Sequence, residues 1–296
     1  MRLHVNSILE FLNKNDMKYE YIGDKTLEIE NFCSLNNLKN NSVFWVKKAQ
    51  NYEASRLSDY QNMLMVINTS ERLTNMNYIN CENPKRVFFS ILDNFWSDKR
   101  KSKIETTSVV ETDKIGQNIY VGHHCYINKD VIIGNNVTFM HNVAIVCPTI
   151  IKDNTIIHSG VIIGTDGFGY YQDEEGWNHK VMHYGGVQIG ADVEIGANTC
   201  IDRGTIDDTV IGDNTKIDDS CIIGHNSQIG RNVMIVGKTA IGGSTIVRDN
   251  AYVAPSSVIM NQLEVGEGAY VGMGSIVLKD IKKDQKVFGN PARIIK

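Results

Sequence analysis

His225, set in the run Ile223-Gly-His-Asn226, is a side chain well suited to carrying a proton. An imidazole with a reference pKa near 6.5 takes up and returns protons at neutral pH. Eighteen residues further on stands Gly243, which has no side chain. A glycine lets another group approach its backbone and leaves its N–H open to a developing negative oxygen. A proton carrier beside a fixed N–H donor is what a reaction through a tetrahedral oxyanion requires. Asp218, seven residues before the histidine, is placed to orient the ring or to remain a solvated acid. Whether these groups meet depends on the elements between them.

Those elements follow a period of six. Ile115, Val121, Ile127, Ile133, Phe139, Ile145, Ile151, Ile157 and Ile163 recur without a miss, then Ile189, Ile195 and Ile201, then every sixth residue from Ile211 to Val277. Six matches neither the 3.6 of a helix nor the 3.5 of a heptad. It matches a short strand and a tight turn wound around a three-sided solenoid. The β-branched rung points inward, and the small residue after it, often glycine, is expected to turn the corner. Three rungs make a coil of eighteen residues, which predicts eight coils and sets Gly243 directly over His225. The His225 side chain, two residues past the rung Ile223, then leaves the solenoid rather than entering it.

The ladder breaks twice. Between Ile163 and Ile189 lies a loop containing Asp166-Gly-Phe168-Gly-Tyr170 and, further on, Trp177. An aromatic loop interrupting a regular scaffold reads as a binding element, with Gly167 and Gly169 giving it a fixed backbone shape. The second break is Asp202-Arg-Gly-Thr-Ile-Asp-Asp208, where Ile201 to Ile211 spans ten residues instead of twelve. Residues 1–100 carry no such period and read as a small α/β domain. Its expected parts are a helix capped by Ser7 with Glu10 behind it, strands at Ser42–Val46 and Met63–Asn68, and helices near Tyr52–Tyr60 and Arg86–Phe95. Residues 101–279 hold the solenoid, and 280–296 are expected to cap its open edge.

The totals exclude several classes. A net charge of −4 argues against a general nucleic-acid binder. No run approaches membrane-spanning length and the first residues lack an apolar signal core, so a cytoplasmic location is expected. The six cysteines form no Cys-x-x-Cys pair, and Cys125, Cys200 and Cys221 lie within rungs as small buried thiols.

The ladder resembles the hexapeptide repeat of bacterial acyltransferases. That resemblance implies a mainly β fold, a left-handed parallel β-helix with a small N-terminal α/β domain, assembling as a homotrimer with sites between neighbouring prisms. Some hexapeptide proteins similar to γ-class carbonic anhydrases hold zinc, and His179-x-x-x-His183 has a ligand-like spacing. No third histidine has the matching spacing, so no metal site is expected.

Three stretches are more specific: Asp166–Tyr170 with Trp177, Ile195–Thr209, and Ile223–Asn226. Together they resemble the UDP-3-O-acylglucosamine N-acyltransferases of lipid A biosynthesis. The resemblance implies His225 as catalytic base with Gly243 one coil away; Asp218 stays a candidate for orienting the ring or a solvated acid. It implies substrate contacts at Asp166, Phe168, Tyr170, Asn198 and Asn226, and at Gln262, which stands where many members carry a second histidine. The first hundred residues resemble that family's uridine-binding domain, with Phe44 and Tyr52 as the base-holding aromatics and Trp45 in reserve. The implied reaction moves a (3R)-hydroxyacyl group from acyl carrier protein to the amine of a UDP-linked amino sugar, with no bound cofactor. The ending Val287-Phe-Gly-Asn-Pro-Ala-Arg293 is similar instead to acetyl-CoA-dependent nucleotide-sugar acetyltransferases. A short acyl-CoA donor therefore stays open, as does a non-catalytic solenoid that binds a nucleotide sugar.

Overall fold

Corners explain the architecture better than strands do. The computed structural model describes residues 2–47, 57, 59–97 and 100–295, which separate into two units at Lys99/Arg100. In the second unit most strands are only two or three residues long, stacked in parallel into three sheets of eleven, nine and seven strands. This is the parallel β-helix expected from the repeat, with the left hand that the family resemblance implies. The rungs Ile127, Phe139, Ile145, Ile157, Ile163, Ile195, Ile201 and Ile223 are fully buried. They stack in columns, so that Val121 pairs with Phe139 and Ile201 with Ile223.

The turn itself belongs to the third residue after the rung. Asn118, Asn136, Asn154, Asn198, Asn214, Asn232 and Asn250 all have φ between 55 and 61°. Asparagine tolerates this left-handed region better than other non-glycine residues. Several of these amides also bond to the equivalent residue one coil on: Asn118 to Asn136 at 3.0 Å, and Asn232 to Asn250 at 2.7 Å. The glycine directly after a rung has a different task from the one expected of it. A Cβ at Gly212 would stand 2.5 Å from the carbonyl of Gly230, so glycine there admits the neighbouring backbone.

The helix also begins earlier than the period suggested. Ile104 pairs with Val121 and Val110 with Ile127, so one face stacks nine strands and the coils exceed the eight expected. At the other end Lys286–Phe288 continues the first sheet, and Arg293–Ile295 folds back antiparallel onto it. Cys125 and Cys221 are buried as expected, but Cys200 is half-buried, because it precedes its rung and points outward.

The first unit carries a five-stranded sheet in the order Glu20–Ile22, Asn77–Asn80, Leu64–Ile67, Ser42–Trp45, Asn31–Phe32. Helix α1 (Val5–Lys14) buries Val5, Ile8 and Leu12, the spacing of a helix stripe. Its N-cap is His4, with no side-chain cap bond; Ser7 lies inside the helix, because Val5 is needed in the core. Helix α2 (Pro84–Phe95) starts as its sequence suggests, with the Asn83 side chain accepting from the Arg86 N–H at 3.0 Å and proline in its first turn. Both faces of the sheet are covered: Val43 joins one apolar cluster and Phe44 the other. Tyr52 and most of the helix expected near 52–60 lie outside the described residues.

Candidate active site

The two breaks in the ladder and His225 lie on one corner of successive coils, between the second and third faces. Ile163 and Ile189 are consecutive rungs, as are Ile201 and Ile211, because Ile151 pairs with Ile189 and Ile189 with Ile211. The second break is therefore a corner lengthened beyond the usual six, not one shortened from twelve. The next corners down carry Gly224-His225-Asn226 and Gly242-Gly243-Ser244.

The long loop folds back on this corner. It pairs Tyr170–Gln172 with Asn178–Lys180 as a hairpin, then returns through His183 and Tyr184. Arg203 ties down its end, its Nε donating to the Gly185 carbonyl at 2.7 Å and its Nη2 to that of Tyr184 at 3.2 Å. Asn226 fastens the second break: its Oδ1 accepts from the Thr205 N–H at 2.6 Å and its Nδ2 donates to the Thr205 hydroxyl at 2.9 Å. With φ at 60° as well, Asn226 clamps this corner. Asn226→Ala should destabilise the fold by about 1–3 kcal/mol, measured by denaturant unfolding. Asn226→Gly, which relieves the backbone, should cost less, so the pair separates strain from lost hydrogen bonds.

His225 sits half-buried between two glycines. A Cβ at Gly167 would collide with its ring, and one at Gly243 would lie 2.7 Å from its Nε2. The coil relation between His225 and Gly243 thus holds in space, with the Ser244 N–H donating to the His225 carbonyl at 2.7 Å. At comparable corners an aspartate of the next coil caps the exposed N–H, as Asp213 does for Ala191 at 2.9 Å and Asp249 for Arg231 at 2.8 Å. The Gly243 N–H makes no such bond among the described residues. Burial lowers the His225 pKa from its ordinary value, His183 adds to the effect, and Asp202 opposes it. The ring is accordingly neutral, and a base, at neutral pH.

Three residues of this corner are not among the expected site residues. His183 is buried, and its ring meets His225 edge to face at 5.1 Å. Its sequence spacing links it only to His179, which instead pairs with Asp173 at 2.6 Å. Asp202 accepts from the Thr165 hydroxyl at 3.2 Å, and burial raises its pKa. Lys180 lies 3.8 Å from Asp166, donates to the Gly167 carbonyl at 3.1 Å and stands over the Tyr170 ring at 5.6 Å. Only Asp202 had a signal, its place beside Arg203.

The remaining expected residues divide. Asp166, Phe168 and Tyr170 border the site, with Phe168 88% exposed and 4.9 Å from Tyr170. Gln262 lies one coil beyond Ser244, its N–H on the Gly243 carbonyl at 2.9 Å and its side chain exposed. Asn198 turns a different corner, packed against Gly160. Asp218 is on that other corner too, accepting from the Gly237 N–H at 3.0 Å, and makes no hydrogen bond to His225; Asp202 is the acid near the ring. In the first unit Phe44 is fully buried in its cluster, beside a cavity of about 280 Å³ shared with Asn62, Met65 and Asn77. Trp45 packs on Phe89 at 6.4 Å.

Residues 208–243, which include His225 and Gly243, match the family described as bacterial transferase hexapeptide (six repeats). A UDP-3-O-acylglucosamine N-acyltransferase of Chromohalobacter salexigens is 54% identical over 37 residues, 12% of this chain and 10% of the relative. A serine acetyltransferase of Buchnera aphidicola is 47% identical over 51 residues, 17% of this chain and 20% of the relative. The chain thus spans a tenth to a fifth of the length of these curated relatives. Among solved structures, a UDP-N-acetylglucosamine acyltransferase from Campylobacter jejuni superposes with a TM-score of 0.58 at 26% identity, over 65% of this chain and 74% of the other. The proteins that this chain resembles are acyltransferases, and its solenoid is similar to theirs.

Proposed function

We propose that the protein is an N-acyltransferase that moves an acyl group from a thioester carrier to the amine of a nucleotide-linked amino sugar. The observation that carries this reading is a neutral, half-buried His225 set against Gly243, whose N–H is uncommitted. The amine nitrogen attacks the thioester carbon, and the carbonyl electrons move to oxygen, where the Gly243 N–H receives them. His225 takes the proton from nitrogen. Collapse of the adduct re-forms the carbonyl and expels the thiolate, which the imidazolium protonates.

The central motifs favour a (3R)-hydroxyacyl group from acyl carrier protein and a UDP-3-O-acylglucosamine acceptor. Similarity to serine acetyltransferases supports the second reading, a short acyl-CoA donor with another nucleotide-linked amino sugar. The first unit would hold the uridine, and a homotrimer would complete the sites in its clefts. Exposed Met234, Met260 and Met273 on the prism suit such an assembly. No bound cofactor is invoked, and no helix among the described residues is long and apolar enough to cross a membrane.

The deciding experiment is an acyl-transfer assay that compares carrier-protein and CoA donors on a panel of UDP- and dTDP-amino sugars. Exposed Lys279, Lys282, Lys283, Lys286 and Arg293 would meet an acidic carrier; Lys296 lies outside the described residues. Such docking weakens as salt shortens a Debye length of about 10 Å at 0.1 M. With a carrier-protein donor, kcat/KM should fall steeply with salt, and removing Lys282 and Lys283 should mimic added salt. Equal, salt-insensitive activity with acetyl-CoA would retire the lipid A reading. A stable monomer in light scattering would remove the shared cleft.

A further inference from the structure

A neutral imidazole carries one hydrogen, and the reaction proposed above requires it on a particular nitrogen. The edge of the His225 ring against Gly243 is Nε2. If Nε2 is to accept the amine's proton, its lone pair must be free and the hydrogen must sit on Nδ1. Nδ1 is buried and has no hydrogen-bond partner among the described residues. A buried N–H without an acceptor is destabilised, which would push the hydrogen to Nε2 and disable the base. Some group must therefore accept from Nδ1.

His183 is formed for that role. It is 4% exposed, and its Nδ1 lies 2.8 Å from the Val181 carbonyl. A carbonyl only accepts, so the Nδ1 of neutral His183 carries its hydrogen and its Nε2 bears the lone pair. That Nε2 is also buried and unpartnered. The two rings meet nearly at right angles, 85°, with centroids 5.1 Å apart. A donor without an acceptor and an acceptor without a donor thus occupy adjacent rings. Gly169 makes room for His183, since a Cβ there would already press its Cε1 at 3.2 Å.

We infer that His183 is the positioning residue of His225, its Nε2 accepting the His225 Nδ1–H directly after a small ring rotation or through one water. This rests on the acyl-transfer reading for its consequence, but the tautomer can be read without turnover. Nitrogen-15 NMR of the imidazoles in the full chain should show His225 protonated at Nδ1. In His183→Leu the hydrogen should move largely to Nε2, whereas His183→Gln, whose amide oxygen reaches toward the same place, should keep it on Nδ1. In the transfer assay His183→Leu should lose about 10²-fold in kcat with KM nearly constant, and Gln should recover most of it. Thermal unfolding of both variants separates this from misfolding, because a merely structural role would not distinguish Gln from Leu in tautomer. His225 protonated at Nε2 in the unaltered protein, or unchanged by His183→Leu, would overturn the inference. The expected tautomer shift in a protein that transfers no acyl group would uphold the positioning and overturn only the acyltransferase reading.

Discussion

His225→Ala is expected to lower kcat by about 10²–10⁴-fold, the range a positioned general base contributes, while the protein stays folded. The ring is only half-buried and stands outside the column of inward rungs, so its loss opens no cavity among them. The corner keeps its backbone bond, since the His225 carbonyl accepts from Ser244 whatever the side chain. Acidity should act on the same group. Burial first, then His183, holds the His225 pKa below 6.5 against the pull of Asp202. The base works when neutral, so kcat/KM should be flat around neutrality and fall as pH drops through that lowered value. A variant with near-normal kcat, or an activity limb lying above 6.5, would remove His225 from the role.

Gly243→Ala is expected to lower kcat by about 10²–10³-fold, as much as losing an oxyanion donor, because its methyl group obstructs an N–H that alanine keeps. The added Cβ would lie 2.7 Å from the His225 Nε2, the atom that must face substrate. The ring has little room to retreat, because Gly167 closes its other side just as tightly. One methyl group thus displaces the base and narrows the approach to the Gly243 N–H. Unfolding should change little, since φ at 243 is not in the left-handed region. Ser244→Ala, one residue on, is a fair control for the corner. If Gly243→Ala kept kcat within threefold, the oxyanion would have to be held elsewhere.

The column of rungs was legible because each inward position needs an apolar side chain every six residues, whatever the rest of the coil does. The same regularity brought His225 and Gly243 together from arithmetic alone. What failed to read was anything set by the loop's return path. His183 lies 42 residues from His225 in sequence with no period connecting them; only the hairpin and the Arg203 bonds carry it back. Asp218 misled for the complementary reason. Nearness in sequence matters little when adjacent rungs turn different corners, and Asp218 was used up by the Gly237 N–H. Phe44 looked like a stacking platform until the sheet proved covered on both faces.

The lengthened corners bear on how such a chain tolerates change. Within a strand, one inserted residue would turn that strand's rung from inside to outside. Between Ile163 and Ile189 twenty extra residues are carried with the neighbouring strands still in register, Thr149 on Val187 and Ile163 on Ile201. Closing the longer loop costs little, because the entropy grows only with the logarithm of its length: roughly 1 kcal/mol for this corner. Length polymorphism should therefore gather here and be purged from the strands. This corner is a socket where recognition can be rewritten by insertion and deletion while the scaffold's stability stays nearly untouched.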